Sequence, residues 1–366
     1  MDVVNQTGLA ADWTHGFQPD GRERLVVVIK ATYHIPSDGV ALRLAGEQAP
    51  LVTADEYWGE PGLSAPRYES DYAHYKRRCD VLLNGTAYVP RGRERRRVHV
   101  SLRVGSVSKA FAVVGDRKWW RIPLLGARPG RPKPFLTKPI TYDHAFGGVD
   151  ASKGEKKIRS FVANPVGRGF RRYMKGVHGQ PLPNTEELRK PIRSPRRRYG
   201  PMGLGPIGRN WQPRAALAGT YDQKWLETRV PFFPDDFDEL HFQAAPPDQQ
   251  IPYPRGGERV ELENLSADGS IAFNLPSDLY MPVLFVRPDG SEESVDANVD
   301  TILIEPDARR LCLTWRAVLP LRRNCFEIYE VLVGEMTPAQ RRARQAGNKT
   351  YYPSLAELVA GRSASA

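Results

Sequence analysis

A mainly β protein is expected from this sequence: antiparallel sandwich-like or barrel-like sheets, a long irregular central layer, and short C-terminal helices. Three observations lead there. Apolar residues alternate with period two over several short runs, and turn-forming residues separate those runs. The 366 residues also include 32 glycines and 32 prolines, which favours turns over long helices.

The elements follow in order, beginning with a β region over residues 1–120. In 25–35, Leu25, Val27, Ile29, Ala31, Tyr33 and Ile35 share one face, with Lys30, Thr32 and His34 on the other. That alternation predicts a half-buried strand. Pro36-Ser37-Asp38-Gly39 reads as a turn, and Val40, Leu42 and Leu44 alternate out of it. Val98, Val100, Leu102 and Val104 form the next apolar face, Gly105-Ser106 closes a hairpin, and 111–114 returns. Gly115-Asp116 turns again toward Trp119-Trp120, predicting a three-stranded meander.

Between residues 121 and 258 regular patterning almost disappears. A structureless loop of that length is improbable inside a compact domain. Irregular chain laid over the β core is therefore expected, pinned by Phe146, Phe170, Trp211, Tyr221, Trp225, Phe232, Phe233 and Phe237. Thr220 is placed to cap a short helix over 221–228.

A second β region spans 259–336. Val260 and Leu262 lead through Asp268-Gly269 into Ile271, Phe273 and Leu275, and 283–286 ends at Pro288-Asp289-Gly290. Residues 301–304 pair with 311–318 across Pro306-Asp307-Ala308, and 325–333 closes the set as a hairpin with 311–318. That hairpin would hold Cys312 and Cys325 too far apart to bridge, so Cys79, Cys312 and Cys325 are expected reduced. In the tail, 337–366, Thr337-Pro338 opens a helix, and Ser354 caps another over 355–360 that Gly361 stops.

Hydrophobic content of 40% and charged content of 26% are those of an ordinary soluble protein. The opening residues show no basic segment followed by an apolar run, so no signal peptide is expected. No apolar run approaches the roughly 20 residues a membrane helix needs. A cytoplasmic location is expected.

Chemistry-bearing patterns are sparse. Gly203-Leu204-Gly205-Pro206-Ile207-Gly208 matches the dinucleotide fingerprint in letters alone, with no strand before it and Pro206 removing an amide donor. Asp71 with His74, and Asp143 with His144, allow an acid/base pair or metal ligands as well as local hydrogen bonding. The acidic run 235–239 lacks the glycine-kinked spacing of a calcium loop. Neither a cofactor nor a metal is expected.

Charge speaks more clearly. The net charge is +11, and arginines cluster at Arg91, Arg93, Arg95, Arg96 and Arg97, at Arg193, Arg196, Arg197 and Arg198, and at Arg341, Arg342 and Arg344. Solvated loops account for each run separately. Together the runs favour an acidic protein partner over nucleic acid, since no nucleic-acid-binding signature accompanies them.

Peptides concentrated between 146 and 250 carry the remaining information. They include Phe146-Gly147-Gly148, Asn164-Pro165-Val166-Gly167-Arg168-Gly169-Phe170, Leu182-Pro183-Asn184-Thr185-Glu186, Trp211-Gln212-Pro213-Arg214 and Gly219-Thr220-Tyr221-Asp222-Gln223-Lys224-Trp225. Pro234-Asp235-Asp236-Phe237-Asp238 and Ala245-Pro246-Pro247-Asp248-Gln249-Gln250 complete the set. In this order they resemble a bacterial family of formally unknown function, encoded beside type VI secretion effectors and spike proteins. The resemblance implies an adaptor or chaperone that binds a toxin effector and helps load it onto the spike; the lack of a long apolar run adds that no membrane partner is expected. Partner-binding candidates are Arg196, Arg197, Arg198, Trp211, Arg214, Asp222 and Trp225. The tryptophans read first as core, and Arg214 with Asp222 would make a buried pair. Two alternatives stay open: a cryptic enzyme using Asp143, His144 and Asp222, and nucleic-acid binding through the arginine clusters.

Overall fold

The longest strand, Glu23–His34, lies where the sequence alternates most clearly, and it runs through the interior of the largest sheet. The structure is a computed structural model that describes residues 1–36, 41–122 and 126–345. Arg310–Pro320 pairs with this strand on one side, and Ala10–Phe17 with the short Arg43–Leu44 on the other, all antiparallel. Beyond Arg310–Pro320 come Asn298–Glu305, then Cys79–Leu83 in parallel, then Gln250–Ile251 at the edge. The expected pairing across Pro306-Asp307-Ala308 forms, with Ile302 opposite Leu313.

The Glu23–His34 strand is not half-buried as its alternation suggested. Residues 24–32 are all buried, polar ones included. One face meets the apolar core, while the other meets an ionic layer. There Lys30 Nζ lies 2.8 Å from Asp71, Arg24 2.7 Å from Glu239, Lys76 2.8 Å from Asp80, and Arg316 2.5 Å from Asp300. Each buried charge has a counter-charge, the condition under which burial is tolerated. Lys30, Asp71, Lys76 and Arg316 also line a cavity of about 30 Å³.

A second sheet runs Thr185–Glu186, Val107–Val114, Arg97–Val104, Arg259–Ser266, Gly269–Asn274. Its two hairpins are the predicted ones, turning at Gly105-Ser106 and Asp268-Gly269. The expected third strand of the meander lies elsewhere: Trp119–Ile122 pairs with Gly126–Pro129. Trp119 is fully buried in a separate cluster with Phe146, Phe170 and Tyr199, and this burial draws the chain off the sheet.

The third sheet runs Asp2–Asn5, Glu330–Val333, Pro282–Val286, Glu292–Asp296. Glu330–Val333 lies parallel to Asp2–Asn5, so the predicted hairpin of 311–318 with 325–333 does not form. Asn324 caps a 3₁₀ turn over Cys325–Glu327, and Glu327 accepts from the Arg322 and Arg323 N–H groups, steering the chain away. The three cysteines are free, with Cys79 and Cys312 buried. One apolar cluster takes Ile29 and Leu313 from the large sheet, Val100 and Phe111 from the second, and Phe285 and Val331 from the third. The three sheets therefore close on one core, as in a sandwich.

Helices are short. Gln223–Thr228 is capped by Asp222 and not by Thr220, whose hydroxyl donates to Asp236. Before Pro338–Gln345, Thr337 accepts from the Gln340 N–H and the Gln340 side chain accepts from the Thr337 N–H, a reciprocal cap. Of the turn expected at 36–39, residues 37–39 fall outside the described residues, as does the whole of the helix expected at 355–360. Among the described residues no helix is long and apolar enough to cross a membrane.

The central stretch is built mainly from strands of two to four residues and 3₁₀ turns, with the helix Gln223–Thr228 among them. Phe146-Gly147 pairs in parallel with Arg168-Gly169, and Asn164 Nδ2 ties this junction to the Tyr142 and Phe146 carbonyls. Phe146, Phe170, Trp211 and Phe237 are buried pins as expected. Tyr221 is instead exposed, and Trp225, Phe232 and Phe233 are half-buried.

Candidate functional site

The sequence-predicted residues separate into three places, and the most informative is built around Glu186. This residue ends the motif Leu182-Pro183-Asn184-Thr185-Glu186, and it reaches the second sheet because Thr185 and Glu186 pair with Val113 and Ala112. Asn184 fixes the approach, donating to the Val114 carbonyl and to Asp116. The buried Glu186 carboxylate then takes Arg117 at 2.6 Å, the Ile192 N–H at 3.0 Å, and Arg97 at 3.5 Å. Arg97 ends the first arginine run, and Ile192 immediately precedes the second. Runs nearly a hundred residues apart in sequence thus meet at one carboxylate.

From this anchor the second run turns outward. Buried Tyr199 holds the loop, its hydroxyl accepting from the Arg193 and Ser194 N–H groups. Pro195 is buried, while Arg193, Arg196, Arg197 and Arg198 are exposed. Arg95 and Arg96 are exposed on the other side of the junction. Among the described residues, Arg196, Arg197 and Arg198 make no ion pair, leaving their charge for solvent or a partner.

Trp211 and Arg214 occupy a second place. Buried Arg214 does not pair with Asp222, as the sequence suggested. It donates to Glu69 at 2.6 Å and to the Ile207 and His241 carbonyls, because the 3₁₀ turn Arg214–Leu217 aims it inward. Burial pushes the Glu69 pKa up, but Arg214, Lys76 and Arg209 together outweigh it and hold the carboxyl below its ordinary value. Buried Trp211 borders a groove of about 230 Å³ whose wall includes Asp55, Glu69, Arg209 and Asn210. Arg209 bridges Asp55 and Glu69 at 3.1 and 2.9 Å, so the charges of this wall largely satisfy one another.

Asp222 and Trp225 form the third place, at the helix Gln223–Thr228. Asp222 is exposed and spends its carboxylate on the Trp225 N–H, while the Trp225 indole donates to the Phe232 carbonyl. Tyr221, Leu226 and Val230 stand exposed beside them.

The enzyme suspects do not assemble. Asp143 accepts from the Ala65 N–H, and its other carboxylate oxygen is buried without a partner. The His144 ring faces the Pro139 carbonyl, and burial lowers its pKa. No hydrogen bond joins the two among the described residues. Asp222, as a surface helix cap, is engaged elsewhere. In the other suspected pair, Asp71 holds Lys30 and the Val52 N–H, whereas the His74 ring lies tilted against Phe242. Among the described residues, no three His, Cys, Asp or Glu side chains lie close enough to share a metal ion. The stretch 203–208 is irregular chain with a bend at Leu204-Gly205, where the Leu204 carbonyl accepts from the Leu83 N–H and the Gln249 amide.

Glu186 and Glu69 were not foreseen as organising residues. Glu186 stood in a motif between two basic runs, which was a usable signal. Glu69, 145 residues from Arg214 along the chain, left none.

Comparison with known families gives one result: the sequence profile of a family described as an uncharacterized protein conserved in bacteria (DUF2169) matches residues 20–316. No curated protein and no solved structure matches the chain.

Proposed function

This chain belongs to the uncharacterised bacterial family DUF2169, and from that premise we propose that it is an adaptor of type VI secretion, binding a toxin effector and aiding its loading onto the spike. In this reading the protein acts by surface complementarity, without catalysis or a cofactor. The association with secretion comes from the resemblance of its motif peptides. The mode of binding rests on one observation: Glu186 joins two arginine runs while the neighbouring arginines remain unpaired and exposed.

That geometry suits recognition of an acidic surface. Cations already paired on their own protein contribute little to a partner, whereas unpaired ones raise the encounter rate through their long-range field. Arg196, Arg197 and Arg198 meet this requirement, while Arg214 and Arg209 do not. The exposed patch of Tyr221, Leu226 and Val230 offers apolar contact area to the same partner or to the spike.

The test is co-expression with the toxin effector that this reading expects to be encoded beside the gene. Stable co-purification that survives nuclease treatment is expected. A protein that ignores the effector but binds unrelated duplexes, with affinity falling steeply in salt, would instead be a nucleic-acid binder.

A further inference from the structure

The second sheet ends on the strand Gly269–Asn274, and its hydrogen-bond phase can be read from its neighbours. The Leu275 N–H donates to the Glu258 carbonyl at 2.9 Å, and the Gly105 N–H donates to the Arg259 carbonyl on the opposite side. Alternation then turns the backbone groups of Ile271 and Phe273 toward Arg259–Ser266, and those of Ser270, Ala272 and Asn274 outward. The outward groups take no partner among the described residues.

Two other edges of the molecule are guarded. On Ala10–Phe17, the Asp12 carboxylate accepts from the Trp13 N–H at 2.8 Å, blocking an incoming strand. Glu292–Asp296 carries Glu292, Glu293 and Asp296. Such charges are the usual protection of edge strands. Gly269–Asn274 has no ionisable residue and no proline.

We propose that this edge pairs antiparallel with the same strand of a second copy of the chain, about a two-fold axis at Ala272. Ala272 faces the partner's Ala272, and Ser270 faces the partner's Asn274. All three residues point their backbone groups outward, so every one of these positions is a narrow pair exchanging two hydrogen bonds. The register places no like charges opposite each other. Ile271 and Phe273 are already in the core, and the solvent-side row of Ser270, Ala272 and Asn274 is small and uncharged.

Charge near the edge favours a second copy over an acidic partner. Arg309 pairs with Asp268 at 2.7 Å and Arg259 with Glu261 at 3.0 Å, so most of the charge flanking the strand is paired, with Arg91 alone exposed beside Gly269 and Ser270 among the described residues. The net charge of +11 opposes association at long range, but salt screens it beyond about 8 Å at physiological ionic strength.

Sedimentation velocity on the whole protein over a concentration series tests this, with a reversible dimer expected. Ala272→Pro removes only an outward N–H, which edge strands tolerate, and loses both bonds on the axis. The dimer should weaken by about ten- to a hundredfold. Should that variant fail to fold, Ala272→Lys sets two like charges against each other on the axis and should also shift the population to monomer. Ser270→Lys combined with Asn274→Glu places opposite charges face to face and should keep the dimer. A monomer at every concentration, a dimer untouched by either Ala272 substitution, or a dimer that dissolves as salt is added would each overturn the proposal.

Discussion

Arg117 donates to Glu186 at 2.6 Å with both side chains buried, and this contact fastens the central layer to the second sheet. Removing one member of such a pair leaves the other charge stranded away from water. The Arg117 Nε is already buried without a partner, so no alternative bond is at hand. Glu186→Ala should therefore cost about 3–5 kcal/mol in urea denaturation. A double change to Arg117→Met and Glu186→Leu should cost less than the single one, since no buried charge is left unpaired: Arg97, which also loses Glu186, is half in solvent. A Glu186→Ala loss below about 1 kcal/mol would show that the junction is not structural.

Gly148 supplies a second test of the central layer. Its φ is +100°, and a Cβ there would stand 2.3 Å from the Gly167 carbonyl oxygen. Gly148→Ala combines left-handed strain with a clash against fixed backbone, and should cost about 2 kcal/mol or more. Gly269 makes the control. Its φ is +84° but nothing stands within 4 Å of the added atom, so Gly269→Ala carries the conformational strain alone, about 1–2 kcal/mol. Equal losses at the two sites would mean that the approach of Gly148 to Gly167 is not close in solution.

These two contacts show which parts of the molecule could be read from sequence. Turns between adjacent strands were legible, as at Gly105-Ser106 and Pro306-Asp307-Ala308, because the information is local. The third strand of the meander was not, because the neighbours of the Arg97–Val104 hairpin are Arg259–Ser266 and Thr185–Glu186, far along the chain. Lys30 and Thr32 looked like a solvent face, since burial of a polar face depends on distant counter-charges such as Asp71. In the candidate site the exposed arginines were visible as a run, but the carboxylate that joins them was not visible as a junction. Arg214 was foreseen as a buried pair with the wrong partner, because sequence shows the charge and hides the fold that brings Glu69 to it.

His74 predicts a pH dependence. Burial first, then the nearby Arg24 charge, pushes its pKa down to about 4 from an ordinary 6.5. Its Nδ1 is buried without a hydrogen-bond partner. Between these values the unfolded chain binds a proton that the folded one refuses. The contribution is thus fully present above pH 6.5 and is lost as pH falls from there toward 4. His144 and His241, also lowered chiefly by burial, act in the same direction. His74→Phe keeps a ring and removes the titration, so its stability should fall less than that of the wild type between pH 7 and pH 5. Identical losses in urea titrations at the two pH values would remove His74 from the account.

The arginines of the second run decide between partner classes. Arg196, Arg197 and Arg198 are exposed and make no ion pair among the described residues, so reversing all three to Glu should leave folding stability nearly unchanged. Association with an acidic effector should behave differently. A steering charge acts during encounter, so the triple reversal should slow association more than it speeds dissociation. The difference should shrink as salt is raised, since exposed charges are screened beyond about 8 Å at physiological ionic strength. Nucleic-acid binding predicts another pattern: affinity for unrelated duplexes without an effector, and a shallower salt dependence once three cations are removed. On-rates of wild type and triple variant toward the co-purified effector, at low and high salt, separate the two. Equal on-rates at low salt would mean that this loop, although joined to Arg97 through Glu186, faces solvent and steers nothing; the proposed effector binding would then need another surface, with the exposed Tyr221, Leu226 and Val230 the next to mutate.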